Sequence, residues 1–255
     1  MLTNSIHLIS GHLLFKIATG LYGLSLIHGA FFGPTRRMLV FLLPALLANA
    51  LVVAWRYWVA WPMLPMYMGP VVLPLILGGM ALGARHQWAG RTQNGILTLV
   101  VIIALGAVLF PKDYYIPFLK SQTAWAHLFF WLGVAGRGCF LVAAIQAMAG
   151  LRKKNGRPAF SRSVPWIAWG FAFWTLSMFT GELWSYVGWG TPVVWDDPAI
   201  TTTMATWFFY VGLLHLHLTG SWTARGRCAF TAVGGLMVLG LTYAPELGPF
   251  RWPLG

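Results

Sequence analysis

Histidines are the side chains of this sequence best suited to hold a metal ion, and most of the seven lie near the ends of apolar segments. Two sets share a predicted depth in the membrane: His12 with His127, and His28 with His215 or His217. Two imidazoles at one depth can ligate a haem iron from its two faces. The sequence shows equal depth and not contact, so a structural role for each histidine is the alternative.

Aromatic side chains form a second candidate site, in a loop that the sequence predicts over 183–199. Four of them share this short stretch: Trp184, Tyr186, Trp189 and Trp195. Planar rings can stack a flat, apolar cofactor, and the adjacent Asp196 and Asp197 can meet the polar groups at its edge. Two other interpretations stay open. The tryptophans fit an ordinary interfacial belt, and an aspartate just before a helix fits an N-cap.

Arg137 is the third candidate, because it lies about a third of the way into a predicted apolar span. An unpaired guanidinium there costs several kcal/mol. No carboxylate lies within a predicted span at that depth, and the nearest, Glu182, is close to the end of another span. We therefore expect a partner from outside the chain, with a haem propionate as one candidate. The alternative is that Arg137 reaches water or binds a backbone carbonyl.

Composition identifies the elements that must position these residues. Of 255 residues, 58% are hydrophobic and 9% are charged, whereas soluble domains carry about 25% charged residues. The chain is therefore predicted to lie in a lipid bilayer, and apolar runs of about 20 residues predict helices rather than alternating strands. The predicted fold is all-α, a polytopic transmembrane helix bundle forming a single domain over 1–255. Its eight spans are approximately 9–32, 38–58, 66–84, 95–110, 124–149, 165–182, 200–218 and 228–244.

The basic residues predict how this bundle is oriented. The net charge is +12, but the Lys and Arg residues form short clusters between spans, which is a topology signal and not a nucleic-acid site. Most of them lie in alternate connections, and all the acids lie in the other set. The positive-inside rule places the basic connections in the cytoplasm. Both termini and the loop over 183–199 are therefore expected on the extracytoplasmic side of the cell inner membrane.

The aromatic segment resembles a known motif. Its elements are WG at 189–190, WDDP at 195–198, Trp207, and His215 eight residues later. This pattern resembles the WWD domain of haem-handling membrane proteins, and the chain is similar to the CcsA/ResC family of cytochrome c biogenesis system II. The segment SQTAWAH (121–127) resembles the one that carries the family's first external haem-ligand histidine. The resemblance covers roughly residues 45–245.

The resemblance implies a function and a set of ligands. It implies a protein that carries haem b across the membrane and presents it on the external WWD loop. There the haem would be attached to the CxxCH motifs of apocytochrome c, usually with a CcsB/ResB-like membrane partner. The chain would then be a component of a cytochrome c synthase, or haem lyase. Matched by position, His127 and His215 would be axial ligands of haem iron.

Three departures from the family pattern leave alternatives open. The second external histidine is missing, because no histidine follows Val238. Val193 stands where the WWD core has a tryptophan, and Trp61 stands where an early segment has a histidine. One alternative is a divergent member that binds haem without ligating it. The other is a haem-b membrane subunit of a respiratory complex that transfers electrons between a quinone and an external cytochrome.

Overall fold

The computed structural model describes residues 2–33, 37–65, 67–83, 90–110, 122–152, 157–216, 219 and 222–247. These residues form helices and connections and contain no β-strand, which confirms the predicted all-α class. The helices are α1 (Leu2–Phe32), α2 (Met38–Ala60), α3 (Gly69–Gly83), α4 (Gly90–Leu109), α5 (Ala124–Leu151), α6 (Arg157–Trp189), α7 (Pro198–Leu216) and α8 (Ala224–Val238), followed by a π-helical turn (Leu239–Tyr243) and α9 (Ala244–Leu247).

Six helical segments of the described chain are long and apolar enough to cross a membrane. They are Gly11–Phe32, Met38–Ala60, Gly90–Leu109, Ala124–Leu151, Pro198–Leu216 and Ala224–Leu247. Helix α3 is apolar but has 15 residues, and α6, with 33 residues, is not among the six. The chain is therefore a multi-pass helical membrane protein, and the predicted number of eight spans stays a prediction.

The helices are divided between two compact units. Unit 1 comprises Met1–Phe118 and Leu247–Gly255, and unit 2 comprises Leu119–Glu246. In unit 1, α1 packs on α2 and α4, and α3 packs on α4. Asn49 Nδ2 donates a hydrogen bond to the Tyr22 hydroxyl (3.2 Å), and Asn94 Nδ2 donates to the carbonyl of Gly29 (3.0 Å). These polar contacts fix the register of α1, α2 and α4. The predicted single domain stays a prediction.

Unit 2 contains α5–α8 and most of the candidate site residues. Helices α5 and α6 are antiparallel, because Phe129 lies against Gly181 and Phe140 lies against Gly170. Helix α8 packs on α5, and α7 packs on α6 and α8. Successive helices run in opposite directions, so the start of α5, the end of α6 and the start of α7 lie together. We call this the loop end of unit 2.

The loop predicted over 183–199 is shorter in the structure, because α6 continues to Trp189. The segment 183–189 contains no proline, so nothing in it stops the helix. The helix ends at Gly190, whose φ of +76° is the left-handed conformation that glycine adopts without strain. The connection to α7 is Gly190–Asp197. As a correction to the predicted loop, Trp184, Tyr186 and Trp189 lie on the last turns of a helix.

Candidate functional site

Aromatic rings at the end of α6 are held by contacts with each other and with α5. Trp184 and Trp189 meet edge to face, with ring centroids 5.3 Å apart and an angle of 75°. On its other side Trp184 contacts Phe129 of α5, at 5.6 Å between centroids. Such contacts fix ring orientation beyond simple burial. The tryptophans at the loop end therefore have defined positions on two packed helices.

The connecting loop folds back on α6 through its own hydrogen bonds. Ser185 Oγ donates to the carbonyl of Thr191 (2.7 Å), and Thr191 Oγ1 donates to the carbonyl of Val193 (3.0 Å). Trp195 follows, with 72% of its surface exposed. A tryptophan this exposed on a hydrogen-bonded loop presents a broad apolar face outward.

Asp197 ends this loop as the N-cap of α7. Its Oδ1 accepts a hydrogen bond from the backbone N–H of Ala199 (2.8 Å), and its carbonyl accepts one from Ile200 (3.0 Å). Pro198 occupies the first helical position, where a missing N–H costs nothing. The capping interpretation is therefore confirmed for Asp197. The neighbouring Asp196 is exposed, and its predicted role at a cofactor edge stays a prediction.

His127 lies at the same end, in the first turn of α5. This helix begins after Thr123, whose Oγ1 accepts a hydrogen bond from the backbone N–H of Ala126 (3.3 Å). His127 is half-buried and lies two residues before Phe129, the contact of Trp184. The structure thus brings His127 and the aromatic end of α6 to the loop end of one unit. Iron ligation by His127 stays a prediction.

Arg137 has a partner within the chain. Its Nη1 donates to Glu246 Oε1 in an ion pair and to the carbonyl of Thr242 (3.4 Å). The sequence therefore missed a partner within the chain, and binding to a carbonyl, the alternative, is present as well. Binding of a haem propionate by Arg137 stays a prediction. Glu246 was not considered as a partner because it lies beyond 244, the predicted end of the last span. In the structure the helical segment continues from α8 through the π-helical turn into α9, which contains Glu246.

Arg137 also belongs to a layer of side chains that joins α5, α6, α7 and α9. Its guanidinium carbon lies 6.0 Å from the ring centroid of Trp174 on α6. Trp174 Nε1 in turn donates to the carbonyl of Thr203 on α7 (3.2 Å). With Glu246 on α9, this chain of contacts lies about one and a half turns inward from the start of α7. A side-chain layer of this kind underlies the loop end.

His215 lies at the opposite end of unit 2, in the last turn of α7. Its Nδ1 lies 2.8 Å from the carbonyl of Val211, and because a carbonyl oxygen only accepts, Nδ1 carries the proton. In the neutral ring Nε2 is then the nitrogen with the lone pair, and His215 is exposed. Trp207 is fixed differently, because its Nε1 donates to Thr175 Oγ1 (3.0 Å). Trp207 therefore links α7 to α6.

His127 and His215 are too far apart to ligate one iron. Phe140 of α5 stacks on Tyr210 of α7, with centroids 3.5 Å apart, so His215 is level with residue 145 of α5. The eighteen residues from 127 to 145 rise about 27 Å. The two histidines therefore belong to separate positions near the two ends of the unit.

The remaining predicted histidines lie mostly in unit 1. His12 is half-buried on α1, and the ring of His28 lies 5.0 Å from Phe32 and 6.2 Å from Phe41. His217 lies outside the described residues. Each predicted pair takes one member from each unit, so both pairs stay predictions. Within the parts of the chain that the structure covers, no three His, Cys, Asp or Glu residues cluster as a metal site.

Comparison with known proteins decides the family. The family described as cytochrome C assembly protein matches residues 45–244, which is most of the chain. The chain belongs to the cytochrome C assembly protein family. The resemblance seen in the sequence is thereby confirmed.

Curated relatives share short segments with this chain. A cytochrome c biogenesis protein CcsA of Prochlorococcus marinus (strain MIT 9312) is 36% identical over 74 residues, covering 29% of this chain and 23% of the relative. The CcsA of Guillardia theta is 35% identical over 77 residues, covering 30% and 25%. The CcsA of Parasynechococcus marenigrum (strain WH8102) is 33% identical over 93 residues, covering 36% and 30%. The alignments thus span less than a third of each relative, and no solved structure matches.

Proposed function

We propose that this protein holds haem b at the loop end of unit 2 and presents it to apocytochrome c for attachment. One observation supports this proposal above the others: the loop end of unit 2 combines His127 with the packed Trp184 and Trp189 and the exposed Trp195. An imidazole can ligate iron, and indole faces can stack a porphyrin. Haem is the cargo of this site rather than a resident cofactor.

The residues present fit this cargo in both chemistry and placement. The tryptophans offer apolar ring faces to a flat apolar molecule, and Trp184 is held from behind by Phe129. Asp196 is exposed beside Trp195 and is proposed to lie near the cargo's edge. The vinyl groups of haem supply the carbons that react with partner thiols. The residues of this chain bind the haem, orient it and keep its edge accessible.

His215 supports a second haem position at the other end of the unit. Because the Val211 carbonyl holds the Nδ1 proton, Nε2 is oriented for iron, and a hydrogen bond of this kind strengthens a histidine ligand. The axial separation from His127 of about 27 Å approaches the roughly 30 Å hydrocarbon thickness of a bilayer. This separation supports transfer of haem from one face of the membrane to the other.

The orientation proposed for the chain follows from its charges. We infer eight spans in the cell inner membrane, with the loop end and both termini on the extracytoplasmic side. The supporting observation is that Arg152, Arg162 and Arg225 lie at the end of unit 2 opposite Gly190–Asp197, as the positive-inside rule requires. Apocytochrome c and a CcsB/ResB-like membrane protein are the proposed partners at the outer face.

Absorption spectra of the purified protein test the proposal. Wild type is expected to show a haem Soret band, and His127→Ala and His215→Ala are each expected to lose part of the haem. The two losses should add in the double variant, because the two positions are separate. His86→Ala, which the sequence places in a basic connection, is the matched control. Unchanged haem content in both single variants and the double variant would remove these histidines as ligands.

A second candidate function is a haem-b subunit of a respiratory complex. The segment Leu239–Gly255 contains no histidine, and this favours it, because the resemblance implies a second external histidine ligand in that segment. Redox titration separates the two functions. Two stable haems with distinct potentials fit electron transfer, whereas one labile, substoichiometric haem fits delivery.

A further inference from the structure

The ion pair between Arg137 and Glu246 leaves much of the guanidinium unused. The two side chains are 14% and 24% exposed, so the pair is largely shielded from water. Glu246 and the carbonyl of Thr242 both accept from Nη1, and Nε is buried without a hydrogen-bond partner. An arginine can bind a carboxylate through two parallel N–H groups. Arg137 therefore has donors available for a second carboxylate.

The pair lies inward of the loop end, toward the middle of unit 2. Gly235 of α8 packs against Ala144 of α5, and this register places Glu246 level with residue 133. Side chains on a helix lean toward its N-terminus, so Arg137 reaches toward the first turn of α5. The guanidinium is therefore nearer than its own Cα to the first turn of α5, where His127 lies ten residues, about 15 Å, away along the helix.

The backbone before Glu246 is suited to releasing it. The five residues of the π-helical turn (Leu239–Tyr243) immediately precede α9. Such turns carry one extra residue and are frequent at functional sites. Conversion of this turn to α-helical geometry would rotate the following residues by about 100°. Glu246 can therefore leave Arg137 without unfolding α8.

We infer that Arg137 binds a propionate of the haem presented at the loop end, and that Glu246 is the in-chain carboxylate that the propionate replaces. This inference rests on the proposed function and adds how the cargo is selected. Glu246 holds the guanidinium in place and competes with the cargo carboxylate. A porphyrin with free carboxylates would displace it, and one with esterified carboxylates would not.

Titration with two pigments tests this exchange. Haem b and haem dimethyl ester, whose propionates are uncharged, are added to protein in a neutral detergent free of anionic lipid, and binding is followed by absorbance. Wild type is expected to bind haem more tightly than the ester. Glu246→Gln is expected to raise the affinity for haem about tenfold, since a competing charged contact is removed, and to leave the affinity for the ester unchanged. Arg137→Gln is expected to bind both pigments equally.

Control variants keep the result interpretable. Glu182→Gln makes the same change of charge on α6 and is expected to behave as wild type for both pigments. Arg137→Lys keeps the positive charge but loses the parallel N–H groups of the guanidinium. It should therefore retain a smaller preference for haem over the ester, and this gives a test even where Arg137→Gln does not fold. Equal effects of Glu246→Gln on haem and on the ester would show a purely structural pair and overturn the inference while haem binding stands. Failure of wild type to bind either pigment would overturn the proposed function as well.

Discussion

Gly136 of α5 lies against the backbone of α6 at Gly170. A Cβ added at Gly136 would stand 3.1 Å from the carbonyl oxygen of Gly170 and 3.2 Å from the backbone nitrogen of Trp174. Backbone atoms cannot move aside as the end of a flexible side chain can. The two helices are therefore held at close backbone distance in the layer that contains Arg137 and Trp174.

Gly136→Ala is expected to destabilise the protein by about 1–3 kcal/mol, because overpacking forces α5 and α6 apart. Thermal unfolding of the detergent-solubilised protein, followed by circular dichroism, measures the loss. Gly212→Ala is the matched control, since nothing lies within 4 Å of a Cβ added there and alanine favours a helix more than glycine does. Equal melting temperatures for the two variants would contradict the close packing at Gly136.

Asp197→Ala is expected to cost about 1 kcal/mol of stability through loss of the N-cap of α7. Asp197→Asn should retain most of that stability, because an asparagine oxygen also accepts the hydrogen bond from Ala199. The measurement is the unfolding midpoint of both variants beside wild type. If asparagine were as harmful as alanine, the charge of Asp197 rather than its capping oxygen would be the important feature.

The sequence predicted some boundaries well because local signals define them. The predicted span 124–149 matches α5 at Ala124–Leu151, since the polar residues that end at Thr123 stop abruptly before an apolar run. The end of α6 was misplaced by seven residues, from 182 to Trp189. Aromatic residues there suit a membrane interface whether the backbone is a loop or a helix, so composition alone could not distinguish a loop from a helix over 183–189.

The identity of the partner of Arg137 could not be predicted from the sequence, for a different reason. Glu246 is 109 residues away along the chain, and the contact depends on how α8 packs along α5. It also depends on the π-helical turn, which no local pattern marks. By contrast, the gathering of His127 with Trp184 and Trp189 follows from alternating helix directions, which the order of spans already implied.

Trp195→Ala is expected to weaken haem binding about fivefold, because one stacking face worth about 1 kcal/mol is lost. Trp195→Phe should retain most of the affinity. Haem titration followed by quenching of tryptophan fluorescence gives both values. Trp169→Ala is the matched control: Trp169 is 61% exposed but lies twenty residues, about 30 Å, from the end of α6. A similar loss for both alanine variants would indicate non-specific partitioning of haem onto exposed tryptophans.

Thiol labelling in intact cells tests the proposed orientation. Cys139 and Cys228 are both buried, so the background from native thiols is expected to be low. Pro192→Cys lies in the loop Gly190–Asp197, and Ser161→Cys lies near the start of α6 at the opposite end of unit 2; both positions are exposed. A membrane-impermeant maleimide should label residue 192 in spheroplasts and residue 161 only after permeabilisation, because basic connections stay in the cytoplasm. The reverse pattern would put the tryptophan-rich end on the cytoplasmic side, where it could not serve an apocytochrome outside the membrane.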